Sequence, residues 1–391
     1  MKLISIHPFP ARMAPEIVFR QLERLPSRST ILDPMSGSGT VLRAASELGH
    51  QAIGFDLDPL AVLMSRVWTT ALEERSLRTK AEAIVDEAKS IRGEYLPWID
   101  DCGETTKYVN FWFCRKQIRA LRRLSFVLSA CRGGVSDVMR LALSRTIITK
   151  ERGASIARDA SHSRPHRVFF NNEYDVYDGF LQATSNLAAR LMSIRLSGAV
   201  SVRRGDARGL IKLRARSVDA VITSPPYLNA IDYLRGHRLS LVWLGFGVAE
   251  IRKLRSNSIG AEAIADDRIP ASVVDRLMRT AGRVSDLPSR EAGMVRRYAQ
   301  DIYVFLREIA RVTKRGGDVL LVVGNSCLQN IPIWNADINL AAAAMLGFEA
   351  VERSERVLPV SHRYLPLPED NRSGPLGRRM RTETLLNLKA S

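Results

Sequence analysis

Residues 29–58 wrap two apolar runs around a glycine-rich turn and an amphipathic stretch, and few folds accept that order. "STILD" (29–33) reads as a short buried strand ending in an acid, and "PMSGSG" follows as a turn. "TVLRAASELG" (40–49) has apolar positions at helical spacing and closes on a glycine, and "HQAIGFDLD" (50–58) is a second strand. "PLAVLMSRVW" (59–68) opens another helix with proline in its first turn. Strand, helix and strand joined by one short crossover belong to a parallel sheet with helices on its faces. The glycines let the backbone approach a ligand and present free N–H groups, although a tight strand-to-helix turn needs glycine for steric reasons alone.

At 391 residues, 46% apolar and 25% charged, the chain is long enough for one large core with an insertion and too apolar for a disordered protein. From residue 71 to 197 no strand rhythm is visible, and this region is expected to be a mainly helical insertion able to contact nucleic acid. It divides a main domain made of residues 1–70 and 198–391. Sheet texture resumes at "AVSVRRGDAR" (199–208) and "SVDAVITSPPY" (217–227). The spacing predicts a helix over 295–317, a strand over 318–325, helix then strand within 335–358, and a last strand at "TETLLNLKA" (382–390). The expected class is α/β, with a mostly parallel, doubly wound sheet.

Three acids end predicted strands on one edge of that sheet: Asp33, Asp56 and Asp206. Asp56 suits an acceptor for ribose hydroxyls; alternatively Asp56 or Asp58 caps the following helix, with Asp58 the better placed of the two. Asp206, in Gly205-Asp206-Ala207, is either a turn residue or an acceptor for a bound adenine amine. "SPPY" (224–227) halts the fourth strand on two prolines, which lack an N–H and have fixed φ. Taken by itself, it is a rigid turn with Tyr227 as a packing residue.

Asp33-Pro34-x-x-Gly37-Ser38-Gly39-Thr40, then Gly54-x-Asp56-x-Asp58-Pro59, then Gly205-Asp206-Ala207, then Thr223-Ser224-Pro225-Pro226-Tyr227 resembles the S-adenosylmethionine-dependent DNA amino-methyltransferases, which methylate cytosine N4 or adenine N6. The resemblance covers about residues 1–70 and 199–325. It implies a Rossmann-like methyltransferase with a seven-stranded sheet. It also implies S-adenosyl-L-methionine bound by Asp33, Pro34, Met35, Gly37, Gly39, Thr40, Asp56, Leu57, Asp206 and Ala207. Met35 departs from the aromatic residue more common at its position. "HPFPARMAPEIVFRQLERL" (7–25) is similar to the segment that closes over the methionine end of the cofactor. The catalytic loop implied is Ser224, Pro225, Pro226 and Tyr227: Ser224 Oγ and the Pro225 carbonyl accept the amine hydrogens, and Tyr227 stacks on a base flipped from duplex DNA. Serine in the first loop position is commoner among the cytosine-N4 enzymes. The adenine-N6 reaction, an RNA guanine-N2 reaction and a non-catalytic nucleic-acid-binding role stay open, as does a restriction endonuclease partner.

A net charge of +17, from 58 basic and 41 acidic residues, favours a polyanionic partner. Arg115, Lys116, Arg119, Arg122 and Arg123 recur on one helical stretch, and "SHSRPHR" adds Arg164, His166 and Arg167 on a loop. Arg115, Lys116, Arg119, Arg164 and Arg167 are the candidate phosphate contacts; a solvated basic face accounts for them equally well. Phe111, Trp112 and Phe113 suit a core, and of "DYLRGHRLSLVWLGFG" Asp232 and Arg235 suit the site side while Trp243 and Leu244 suit packing. The four cysteines, Cys102, Cys114, Cys131 and Cys327, show no metal-ligand spacing and read as buried thiols of a reducing compartment. With no long apolar segment at the N-terminus and none of membrane length, the expectation is a cytoplasmic protein without a metal.

Overall fold

The computed structural model describes residues 3–10, 12–149, 153–162, 165–168, 170–192, 195–228, 232–260, 269–358 and 382–391. Its central sheet is formed by β1 (Thr30–Asp33), β2 (Gln51–Asp56), β3 (Val200–Arg204), β4 (Val218–Thr223), β5 (Thr313–Gly324), β6 (Phe348–Val357) and β7 (Thr382–Ala390). The strands lie in the order β6-β7-β5-β4-β1-β2-β3. β1 is parallel to both β2 and β4, β2 to β3 and β4 to β5, while β7 runs antiparallel between β5 and β6. This is the Rossmann-like methyltransferase sheet expected from the sequence.

The chain builds outward from β1 to β3, then returns to lay β4 on the other side of β1. The topological switch therefore falls between β1 and β4, where a doubly wound sheet opens its ligand crevice. Alternation along β5 shows why both faces are covered: Val319, Leu321 and Val323 join one apolar cluster, Leu320 and Val322 the other. On one face lie α1 (Pro15–Leu22), α2 (Thr40–Glu47) and α3 (Pro59–Trp68). The opposite face carries α12 (Ala271–Thr280), α13 (Ser289–Val312) and α14 (Asn335–Met345).

Residues 71–192 contribute α4 (Glu74–Ser90), α5 (Pro97–Asp100), α6 (Gly103–Trp112), α7 (Arg115–Ala130), α8 (Gly134–Ile147) and α9 (Val176–Met192). These helices share one apolar cluster with the α1–α3 face rather than building a core of their own. One two-residue ladder, Ala157–Arg158 with His166–Arg167, is the strand pairing among the described residues of this region, and the sequence gives no periodicity to announce it. After β4 come α10 (Tyr233–Leu241) and α11 (Val248–Ser256).

Three expectations need correction. The helix predicted over 295–317 begins earlier and stops at Val312, because Gly316, at φ +68°, and Gly317 admit an irregular start to β5. There the pairing jumps from Val218↔Thr313 to Ala220↔Asp318. A Cβ on Gly317 would stand 2.9 Å from the Asp219 carbonyl, so this approach requires glycine. None of the four cysteines is fully buried: Cys327 is exposed, the others half-buried, and all are free thiols. Phe113 is core, but Phe111 is 49% exposed and Trp112 half-buried. No helix among the described residues is long and apolar enough to cross a membrane, and no metal-binding cluster is found among them.

Candidate active site

The switch point is closed by one hydrogen bond: Thr223 Oγ1, at the end of β4, donates to Asp33 Oδ1, at the end of β1, over 2.8 Å. Asp33 also accepts from the Met35 N–H at 3.2 Å and is only 3% exposed. Burial pushes its carboxyl up to about 7, against the two hydrogen bonds that favour the charge, and the nearby Asp56 raises it further. Pro34 is buried beside it, and Met35 is half-buried against the apolar cluster of the α12–α14 face.

The loop that follows needs its glycines. Gly37 has φ +50° and Gly39 +91°, and Gly39 precedes α2 as its N-cap residue. A Cβ on Gly39 would lie 2.9 Å from Ser65 Cα, and one on Gly37 would lie 3.1 Å from the Phe9 ring. Ser65 Oγ donates to the Gly37 carbonyl at 3.0 Å, fastening the loop to α3. Ser38 Oγ and Thr40 Oγ1 are buried without a hydrogen-bond partner, an arrangement that asks for a ligand or ordered water.

Asp56 ends β2 half-buried. Its Oδ2 accepts from the Gly37 N–H at 2.8 Å and its Oδ1 from the Asp58 N–H at 2.9 Å. Burial, reinforced by Asp58, pushes its carboxyl up to about 7. Asp56 thus ties the glycine loop to the strand, and each oxygen keeps a lone pair. Asp58 is the helix cap: its Oδ1 accepts from the Leu60 N–H at 2.9 Å, and Leu57 lies half-buried between the two acids.

Asp58 has a second partner that the sequence reading missed. His237 Nδ1, on α10, stands 2.5 Å from Asp58 Oδ2, both side chains nearly enclosed. The available signal is a histidine three residues after Leu234 and four before Leu241 on an apolar face. Phe9 packs against His237 and stacks on Tyr233 with ring centroids 4.9 Å apart, so the N-terminal segment spans the glycine loop and α10. That segment is anchored by His7, whose Nδ1–H donates to the Pro8 carbonyl and whose Nε2 is hydrogen-bonded to Ser144 Oγ, each at 2.8 Å. Burial lowers the His7 imidazole to about 3, which favours the neutral ring.

The "SPPY" turn leaves β4 beside Asp33. Ser224 Oγ donates to the Val322 carbonyl of β5 at 2.8 Å, and the Tyr227 hydroxyl stands 3.5 Å from Ser224 Oγ. Pro225 is buried, Pro226 half-buried, and Tyr227 half-buried against the apolar cluster. Burial, with Glu383 nearby, drives the Tyr227 phenol up, so it stays protonated. Asp232 caps α10, accepting from the Arg235 N–H at 3.2 Å, and pairs with Arg255 Nε at 2.6 Å; Arg235 is exposed and Trp243 is core.

Asp206 lies two residues past β3, half-buried and next to the buried Ala207. Its Oδ1 accepts from the Arg208 N–H at 2.9 Å, and its Oδ2 lies 2.7 Å from Arg208 Nη2. The same guanidinium reaches Asp301 Oδ1 on α13 at 2.5 Å. The turn role of Asp206 is thus present, and Arg208 takes up most of its acceptor capacity.

Of the basic residues, Arg115, Lys116 and Arg119 are exposed on α7, whereas Arg122 is committed to Asp100, at 2.7 Å, and Glu94, at 3.2 Å. Arg122, which is not among the candidate phosphate contacts, is thus held in ion pairs. Arg167 is exposed, and Arg164 lies outside the described residues.

No family model matches the chain. It is 24% identical over 378 residues to the type II methyltransferase M.MvaI of Kocuria varians, covering 84% of this chain and 78% of that one. It is also 24% identical to M.AvaI of Nostoc sp., covering 89% and 77%, and 50% identical to M.BsoBI of Geobacillus stearothermophilus over 46 residues, 12% of this chain and 9% of that one. The chain is a homologue of the type II methyltransferases. Among solved structures it is similar to the rRNA methyltransferase aviRa of Streptomyces viridochromogenes, at 12% identity and a TM-score of 0.34 over 100% of this chain and 91% of that one. A second likeness, to TrmN of Thermus thermophilus, has 10% identity and a TM-score of 0.32 over 96% and 48%.

The enzyme is a methyltransferase with S-adenosylmethionine as its cofactor. The residues present fit that cofactor: a glycine cradle that a Cβ would fill, two buried unpartnered hydroxyls, and carboxyls at the ends of β1 and β2.

Proposed function

We propose that this methyltransferase modifies DNA site-specifically at an exocyclic amino group, at cytosine N4, as the modification arm of a restriction system. The observation that carries this reading is the Ser224 hydroxyl. Its proton is committed to the Val322 carbonyl at 2.8 Å, so the oxygen facing the loop is an acceptor and not a donor. An exocyclic amine is a poor nucleophile because its lone pair is delocalised into the ring. Two acceptors, Ser224 Oγ and the Pro225 carbonyl, draw its hydrogens out of the ring plane and free that lone pair. The consecutive prolines hold the acceptors in place with little entropy left to lose.

Bound S-adenosylmethionine supplies an electrophilic methyl group. Gly37, Gly39, Thr40 and Asp56 would hold it, beside the buried Asp33 carboxyl that ends β1. Tyr227 would stack on the extruded base, its phenol kept neutral by burial. No strong general base is required, since the amine proton becomes acidic once nitrogen has four bonds and leaves to water. The wider relationship to M.MvaI and M.AvaI supports the modification role.

The test is direct. Purified protein, labelled S-adenosylmethionine and unmodified DNA or RNA are incubated, and the products are digested to nucleosides for mass spectrometry. N4-methylcytosine in DNA is the expected product. N6-methyladenine would keep the loop chemistry and overturn the base, and label in RNA alone would overturn DNA as the substrate.

A further inference from the structure

A cleft of about 330 Å³ lies between α7 and the start of α9, lined by Lys116, Arg119, Arg123, Tyr174, Asp175 and Tyr177 among others. Lys116, Arg119 and Arg123 fall at i, i+3 and i+7, so α7 presents all three on one face. Arg123 Nε and the Tyr177 hydroxyl are buried there with no hydrogen-bond partner, two donors that protein groups leave unused. Lys89 stands 5.4 Å from the centre of the Tyr177 ring, a further cation against one of the lining residues. Against these stand two carboxylates. Asp175 Oδ1 is spent on the N–H groups of Tyr177, at 2.9 Å, and Asp178, at 3.1 Å. Glu173 pairs with Lys116 at 3.3 Å but is 91% exposed, so water and salt screen it and it yields readily.

Unused donors, clustered cations and a weakly held counter-carboxylate describe an anion site. We infer that this cleft grips a backbone phosphate of the nucleic acid substrate, away from the methylated base, a conclusion that rests on the function proposed above. The surroundings favour a polymer over a small free anion. Cys114 Sγ, one residue before α7, lies 3.6 Å from the Phe170 carbonyl. Arg167 stacks between the rings of Phe111 and Phe170, at 5.2 and 5.3 Å. Those rings are 49% and 81% exposed, an aromatic and cationic platform next to the phosphate cleft.

The experiment measures duplex affinity by fluorescence anisotropy across a salt series, for wild type, Arg119→Ala, Arg119→Ala/Arg123→Ala and Arg119→Lys/Arg123→Lys. Each phosphate contact contributes about 0.9 to the slope of log K against log salt. The expected result is a slope flatter by about 0.9 in the double variant, as one phosphate contact is lost, with a smaller flattening in the single variant and recovery in the lysine pair. S-adenosylmethionine affinity should be unchanged in all of them. Should partial burial of Arg123 unfold the double variant, the exposed Arg119 alone still decides. Wild-type slopes in Arg119→Ala, on DNA that the protein methylates, would overturn the cleft and leave the proposed function standing. If inorganic phosphate at constant ionic strength binds wild type and not the double variant while the DNA slopes coincide, the cleft is a small-anion site and the inference fails. A wild-type protein that binds cofactor yet neither binds nor methylates DNA would sink the inference and the proposed function together.

Discussion

Asp33→Asn tests whether the site stores electrostatic cost for its ligand. The native Asp33 carboxyl sits at about 7 instead of 3.8, chiefly through burial. At about 1.36 kcal/mol per pKa unit, ionising it in the folded chain costs roughly 4 kcal/mol relative to the unfolded chain. The sign follows from proton binding. Between pH 3.8 and about 7 the native state holds the Asp33 proton while the unfolded state has released it, so this contribution to stability falls as pH rises and is fully lost above about 7. Asparagine cannot ionise, and its amide oxygen can keep the hydrogen bonds from Thr223 and Met35, but its NH₂ needs a new acceptor, at a cost of about 1–3 kcal/mol. The variant should therefore be more stable than wild type by about 1–3 kcal/mol at pH 8 and no more stable at pH 4. The difference should change by about 4 kcal/mol between these pH values in urea titrations. Parallel stability curves for the two proteins would refute the reasoning. The same substitution should weaken cofactor binding, the exchange of function for stability expected where a site is held in a costly state.

His237→Ala leaves Asp58 enclosed without its partner and should cost about 3–5 kcal/mol in chemical denaturation, with Asp58→Ala/His237→Ala costing less than the sum of the single variants. Additive losses would show that the two side chains act independently. Ser224→Ala should lower kcat by about 100-fold with cofactor affinity unchanged, since one preorganised polar group is removed from the reacting amine; a loss confined to KM would contradict the acceptor role. Asp56→Ala strands the N–H groups of Gly37 and Asp58 and should weaken S-adenosylmethionine binding by roughly 10–100-fold in calorimetry, and unchanged affinity would remove Asp56 from the cofactor site.

Short-range backbone physics makes one part of this protein readable from its residues alone. The strand, glycine turn and helix of residues 30–47 are legible because positive φ at Gly37 and Gly39 is a local requirement and because apolar spacing switches from strand to helix around them. Pro59 marks the helix start for the same kind of reason, with Asp58 as its cap. Which distant groups complete these elements depends on how the chain packs. The carbonyl that takes the Ser224 proton lies 98 residues away, and the histidine that pairs with Asp58 lies 179 residues away. Periodicity carries no information about such partners, because a side chain's chemistry does not encode which strand or helix will face it. The same limit hid the merging of the 71–192 helices into the main core and the irregular start of β5, where Gly317 must approach the Asp219 carbonyl. It hid as well the cleft between α7 and α9, since Arg123 and Tyr177 become neighbours only when those helices pack.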